Sequence, residues 1–588
     1  MHNRAFARIA PMRAKVFFYI IAVIGAFLGW RLYSVQVLQG PVLAREALAQ
    51  RSDTVDVFAR RGSILDRNGA VLVRSLPSES VYVVPHDITD PDLAIAKLQG
   101  IFGKLDPNLI AVIHDKNAWF YWVARKVKHE VAVKVRALDM PGIQLKQEDT
   151  GRRIDIVGDM ASTILGFVGT DENGLDGVEY EYDHYLKGRS GKVTMETDDY
   201  GRPIPFGRDT VLKRAKPGLN IELTIDSYLQ FITEEALDQQ VRAFHASDGT
   251  AIVMDPQTGA VLAMANVPHF DPNHFWRYTY NQERDRAVMD AYEPGSTYKL
   301  VTAAAALSSG KVTPDSRFPA HDELAVGGHV IHNAEDGFMA GTGRSETLEQ
   351  IIEYSHNVGA AEVGMSIGPR TFYAMEQKAG FGRPTNIGLP GENPGIVPAP
   401  SQWSGSSLAT MSFGQGVSVT PLALTRYYCA IANGGILLRP RILHEILDAK
   451  GHPIYQYGPE IERRIFSAKV AEILRGYLRA VVVRGTGDPS AQIPGYTTAG
   501  KTGTAQMVEN GVYQPGAYVA SFIGMIPADH PQFVILVKIS RPVGSYYGSA
   551  VAAPAFVKIA RAAMLHAGIL PAGKRLDDGT QVMVTPHA

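Results

Sequence analysis

Ser296 and Lys299 stand three positions apart in Ser296-Thr-Tyr-Lys299, and a hydroxyl and an amine at i and i+3 meet on one face of a helix. A serine hydroxyl is a weak nucleophile at neutral pH and needs an adjacent base to take its proton. A lysine serves only if it is neutral, which desolvation and a second cation nearby both favour. That second cation is available in Lys501-Thr-Gly-Thr504, and between the two motifs lies Ser355-His-Asn357. Ser355 offers a hydroxyl for proton shuttling and Asn357 an amide to grip a substrate amide. Lys501 supplies positive charge, and Gly503 lets a substrate backbone come close. The three motifs together describe acyl transfer through Ser296. One further S-x-x-K, Ser308-Ser-Gly-Lys311, carries a glycine that ends the helix, and it reads as a decoy.

These residues need a rigid frame. Glu293-Pro-Gly295 reads as a turn, and Leu300 to Leu307 is an Ala-rich apolar run ending at Gly310, so a buried helix is predicted with Ser296 at its mouth. There the serine's own N–H can stabilise an oxyanion, with the N–H of Thr504 on a strand as the second donor. Leu219, Ile221, Leu223 and Ile225 alternate as a strand, and Asp226 caps the helix that follows. Ala251–Met254 and Val261–Ala265 flank the hairpin turn Asp255-Pro-Gln-Thr-Gly259. Ser521–Ile526 and Phe533–Ile539 form another strand pair, with a helix from Pro554 to about His566. The fold class is therefore α/β (α+β), an antiparallel sheet with helices on both faces and Ser296 at the sheet–helix boundary.

The trio in this order is the signature of penicillin-binding proteins and class A β-lactamases. Beyond the trio, the chain carries Arg61-Gly-Ser-Ile-Leu-Asp-Arg-Asn-Gly69, Gly177-Val-Glu179 with Tyr182 and Gly188, and Leu223-Thr-Ile-Asp226. It also carries Phe413-Gly-Gln-Gly416 with Thr420-Pro421, Gly485-Thr-Gly487, and Ala499-Gly-Lys-Thr-Gly-Thr-Ala-Gln506. On these segments it resembles a class B penicillin-binding protein, a monofunctional D,D-transpeptidase, from residue 13 to about 565. Ser345-Glu-Thr-Leu348, Ser355-His-Asn-Val-Gly359 and Leu389-Pro-Gly-Glu392 are similar to the septal branch. Arg152-Arg-Ile-Asp-Ile-Val157 departs from the family, which has Arg followed by Tyr-Pro. The resemblance implies that Ser296 attacks the penultimate D-Ala carbonyl of a peptidoglycan stem peptide and that a neighbouring amine resolves the acyl-enzyme into a cross-link. Lys501, Thr502 and Thr504 would bind the terminal carboxylate. It implies no metal or organic cofactor, β-lactam antibiotics as ligands, and a membrane-embedded SEDS-type glycosyltransferase as partner. A β-lactam sensor or β-lactamase, or a scaffold whose catalysis has lapsed, shares parts of the pattern.

Composition agrees. The 588 residues exceed one ordinary domain, and 58 basic against 59 acidic residues leave no electrostatic footprint for nucleic acid. The single cysteine, Cys429, excludes an intrachain disulfide. Val16–Trp30 carries no charge, Leu32–Leu38 continues mostly apolar, and Arg4, Arg8, Arg13 and Lys15 precede the run. This predicts an uncleaved anchor in a lipid bilayer with the N-terminus in the cytoplasm and everything after residue 38 outside, and the resemblance implies that this bilayer is the bacterial cytoplasmic membrane. The expected layout is a tail over 1–15, an anchor over 16–38, a pedestal (dimerisation-type) domain over 39–215, a transpeptidase domain over 216–570 and a loose tail over 571–588. Arg61-Gly-Ser-Ile-Leu-Asp-Arg-Asn-Gly69 is read either as a turn closed by a local Arg–Asp pair or as part of a surface that docks the polymerase.

Overall fold

The computed structural model describes residues 3–57, 59–196, 210–334, 344–509 and 511–572. The chain divides into two compact units, residues 1–59 with 189–216, and residues 60–188 with 217–588. In the first, a helix over Asn3–Tyr33 runs on through Ser34–Leu38, followed by a helix over Gly40–Arg51. Met12–Leu38 contains an 18-residue stretch of mean hydropathy 1.8 with no buried residue, so it is long and apolar enough to cross a membrane. An antiparallel sheet of Ser52–Val57, Gly191–Glu196 and Thr210–Lys213 completes this unit. Most of the expected C-terminal tail, residues 573–588, lies outside the described residues.

The second unit is built on two sheets. Its catalytic half holds five antiparallel strands: β1 (Asp248–Met254), β2 (Val261–Val267), β3 (Ala499–Glu509), β4 (Val512–Ile526) and β5 (Phe533–Ser540). Their spatial order is β2-β1-β5-β4-β3. The strands β1, β2 and β5 are buried at nearly every position because both faces are covered. Helices α1 (Ser227–Ala243) and α6 (Ala553–His566) cover one face with a core that includes Leu237, Phe522 and Phe556. The other face carries the Ala-rich α2 (Lys299–Ser309), α3 (Asn357–Ile367), α4 (Pro421–Ala432) and α5 (Ala468–Val483) in the larger core. The predicted caps are present. Asp226 accepts from the N–H groups of Tyr228 and Leu229, and Gly310 ends α2 at φ 71°.

The other sheet crosses the expected boundary between residues 215 and 216. Asn220–Leu223 pairs with Ile64–Leu65 on one side and with Leu443–Leu447 on the other. The same sheet continues into Val71–Val83, Tyr121–Val127 and Ile143–Asp155. Val71–Val83 is a single strand of 13 residues. Ile221 and Leu223 are fully buried within this shared sheet, so residues 60–188 meet the catalytic half in a packed joint.

Arg61 explains how the joint is held, and it corrects the expected local Arg–Asp pair. Its guanidinium donates to Glu179 Oε2 (2.7 Å), Asp183 Oδ1 (2.5 Å) and the carbonyls of Glu172 and Glu179, far along the chain. Arg153 donates to the second oxygen of Glu179 (2.6 Å) and to the Gly62 carbonyl, which gives the unusual Arg152-Arg segment a defined place. A Cβ on Gly62 would lie 1.8 Å from the Leu219 carbonyl oxygen, so only glycine fits beside Arg61. Asp66 closes its turn by itself, accepting from Asn68 and Ala70 N–H and binding Ser227 Oγ. Arg61 and Glu179 are each 1 % exposed, and removing one partner of such a pair strands the other charge. Arg61→Ala should therefore lower the unfolding free energy by about 3–5 kcal/mol, read from guanidinium unfolding of the detergent-solubilised protein.

Candidate active site

Gly295–Tyr298 forms a single 3₁₀ turn that runs directly into α2, so Ser296 stands where expected, ahead of a buried helix. The turn is pinned from three sides. Thr297 Oγ1 donates to the Pro294 carbonyl, Tyr428 Oη donates to the Thr297 carbonyl, and Tyr298 Oη donates to Glu376 Oε1 at 2.8 Å. Burial pushes the Glu376 carboxyl up to about 8, so it holds Tyr298 as a neutral acid.

Lys299 is fully buried, and its amine is surrounded by oxygen. Nζ lies 3.1 Å from Ser296 Oγ, 3.2 Å from Ser355 Oγ, 2.8 Å from Asn357 Oδ1 and 2.5 Å from the Ser355 carbonyl. Desolvation, and then the charge of Lys501, hold the Lys299 amine well below the usual lysine range, while Glu346 opposes them. The carbonyl of Ser355 reaches the amine because Ser355 adopts a left-handed φ of 63°. Asn357 opens α3, where its backbone N–H and that of Val358 donate to Asn333 Oδ1, and its Nδ2 donates to the His332 carbonyl.

β3 lies at the edge of the sheet and pairs with β4 alone among the described residues. A Cβ on Gly295 would meet the Thr504 carbonyl oxygen at 2.9 Å, so this carbonyl points at the serine turn. In an extended strand a residue's N–H and C=O point to the same edge, which directs the Thr504 N–H to that side as well. Ser296, Ser355, Asn357, Thr502 and Thr504 line one cleft of about 750 Å³. Lys501 is brought near but not into contact with the serine. Its Nζ donates to Thr502 O and Oγ1 at 3.2 and 3.3 Å and is fully buried behind the cleft wall. Gly503 has a reason other than the expected approach of substrate, because a Cβ there would meet Ser521 Oγ at 2.4 Å and Thr297 Cγ2 at 2.9 Å. The glycine lets the strand pack on the serine turn.

Sequence reasoning missed three supports. Thr486 Oγ1 shares a 2.8 Å hydrogen bond with Thr502 Oγ1, which gives the Gly485-Thr-Gly487 motif its place. Asn333 caps α3 from a distant hairpin, a role that no local spacing announces. His356 and Glu346 form a buried pair beside Lys299.

Comparison with known proteins agrees with this geometry. The model of the penicillin binding protein transpeptidase domain matches residues 249–561, and that of the penicillin-binding protein dimerisation domain matches residues 56–223. The chain is 33% identical to stage V sporulation protein D of Bacillus subtilis, over 96% of this chain and 88% of that one. It is 31% identical to the peptidoglycan D,D-transpeptidase FtsI of Escherichia coli, over 90% and 88% of the two chains. The aztreonam complex of penicillin binding protein 3 from Mycobacterium tuberculosis superposes with a TM-score of 0.68 at 29% identity, covering 88% of this chain and 98% of that one. The chain belongs to the class B penicillin-binding proteins, the monofunctional D,D-transpeptidases.

Lys501 makes the site costly. Burial pushes its amine down to about 7, whereas in the unfolded chain it titrates near the usual lysine value. Between those values the unfolded state binds more protons than the folded one, so stability rises with pH across that window and the penalty is fully present below about 7. Lys501→Met should raise stability at pH 7 by about 0.5–2 kcal/mol, with the gap closing toward pH 10 in paired thermal melts, while acylation falls.

Proposed function

We propose that this protein cross-links peptidoglycan stem peptides through an acyl-enzyme on Ser296 during cell-wall synthesis at division, and that β-lactams acylate the same serine. The observation that carries the reading is the 3.1 Å approach of the buried Lys299 amine to Ser296 Oγ. Neutral Lys299 takes the hydroxyl proton as Oγ attacks the penultimate D-Ala carbonyl. The oxyanion is received by the N–H groups of Ser296 and Thr504. Ser355 relays the proton to the departing D-Ala amine, and Asn357 orients the peptide amide. Thr502 and Thr504 hold the terminal carboxylate, with Lys501 supplying charge from behind them and Gly503 keeping the strand close to the serine turn. An amine from a second stem then attacks the ester, and the proton path runs in reverse.

The division role draws on relatives named for sporulation and as FtsI. In this reading, residues 16–38 anchor the protein in the cytoplasmic membrane with the catalytic part outside. Residues 39–215 form the pedestal and 216–570 the transpeptidase domain. The pedestal engages a membrane glycosyltransferase of the SEDS type, which supplies the glycan strands.

Labelling with fluorescent penicillin tests the chemistry. Ser296→Ala should abolish the adduct while Ser308→Ala retains it, and an adduct that persists without Ser296 would sink the assignment. Lys299→Met keeps the apolar stem but loses the proton acceptor, so acylation should fall by roughly two to four orders of magnitude. The partner role is tested by Lys97→Glu, Lys104→Glu and Lys128→Glu, at exposed pedestal positions. Each should leave acylation unchanged, and at least one should lower glycan polymerisation by the co-purified complex; polymerisation unchanged in all three would remove the role.

A further inference from the structure

Between Ser355 and Asn357, both in contact with the Lys299 amine, stands a side chain that the proposed chemistry does not use. His356 Nδ1 lies 2.5 Å from Glu346 Oε2, and the two side chains are 10 % and 2 % exposed. Glu346 belongs to the short strand Ser345–Thr347, opposite Phe318 of Arg317–Pro319. Its other oxygen rests against α3, where a Cβ on Gly359 would come within 2.4 Å of it. Ser355-His-Asn-Val-Gly359 therefore places the histidine and the space for its partner within one turn of helix. A carboxylate buried this deeply requires a counter-charge or strong donor. The charge of Glu346 also reaches Lys299, in the sense that favours a protonated amine and so opposes the base.

We propose that His356 is a positioning residue whose ring, held by Glu346, fixes the left-handed turn at Ser355 and offsets the carboxylate charge facing the Lys299 amine. The backbone fixes the other side of the turn, since the His356 N–H donates to the Ile351 carbonyl at 3.1 Å. The charged surroundings leave the task to this pair. Lys299 is faced by Lys501 from β3 and by Glu346. Glu346 is faced by His356 and by Glu362 of α3, and Glu362 is in turn faced by His321. The Tyr354 ring stacks on His356 at 5.9 Å, beside Glu353 and Arg484. With Glu346 engaged by His356, desolvation and then Lys501, the charge that governs Lys299, keep its amine below the usual lysine range. With the histidine gone, Glu346 faces the Lys299 amine without its hydrogen-bonded partner.

The proposal rests on Ser296 and Lys299 acting as nucleophile and base, and it is tested by the pH dependence of penicillin acylation in the full-length, detergent-solubilised protein. The rate rises with pH as the base loses its proton, so any change that retains the proton moves the acid limb to higher pH. His356→Asn keeps a side-chain N–H for Glu346 but cannot carry charge. It should move the limb to higher pH and slow acylation by roughly tenfold at a fixed pH on that limb, the rate equivalent of one pH unit. Glu346→Gln should move the limb the opposite way, and the double variant should return it toward the wild-type position. The high-pH plateau should stay within about threefold of wild type in all three, since the proton acceptor itself is intact. Unchanged midpoints, or shifts of both single variants in the same direction, would overturn the proposal even if melting temperatures fell. If His356→Asn does not fold, Glu346→Gln alone decides, because a structural role predicts no acid-ward shift. Absence of a Ser296 adduct in the wild-type protein would overturn the underlying reading as well, a result distinct from an unmoved midpoint.

Discussion

An amine kept out of water sets the terms for the catalytic half, because a lysine stays neutral at physiological pH only where solvation of its charged form is denied. Lys299 meets that condition at the base of a helix whose Ala303, Ala304, Ala305 and Ala306 let neighbouring helices come close enough to exclude solvent. Polar groups around it then have to be oxygen acceptors fixed by backbone geometry, since loose side chains would admit water. The left-handed Ser355 and the capped start of α3 provide them. Tyr298, Thr297 and Glu376 extend the same requirement outward by tying the serine turn to buried partners that cannot relax away.

The same logic operates at the joint between pedestal and catalytic core, with a different outcome. There the charges are kept and paired. Arg61 and Arg153 share Glu179 from two sides, and backbone carbonyls absorb further donors of each guanidinium. Because one sheet runs through residues 60–188 and the catalytic half alike, separating the two would break strand pairing between Asn220–Leu223 and Ile64–Leu65. Force applied to residues 60–188 is thus carried into the core by hydrogen-bonded backbone.

Much of this was legible in the chain because it depends on local pattern. Ser296 and Lys299 announce themselves by helical spacing, the Asp255–Gly259 hairpin by turn chemistry, and the strands around Ile523 and Leu536 by continuous apolar runs. What stayed hidden depends on partners distant in sequence. Arg61 lies 118 residues from Glu179, so the nearby Asp66 was the natural but wrong partner. The tight fit of Gly503 against Thr297 cannot be read from Lys-Thr-Gly, because the wall belongs to another motif. His356 and Glu346 stand in two segments whose spacing does not announce a contact, and only the fold brings them together.

The open edge of β3 has a cost for the protein as a whole. An unpaired strand edge is a template on which any extended chain, including a second copy of this one, can build an intermolecular ladder. This edge must remain uncovered if a substrate is to lie beside it. The strand tempers the hazard with means already in place: a register break between Gln506 and Val508 interrupts a flat ladder, and the charge of Lys501 is buried within its length. The strand can thereby keep its edge open without offering a second copy a flat ladder to extend.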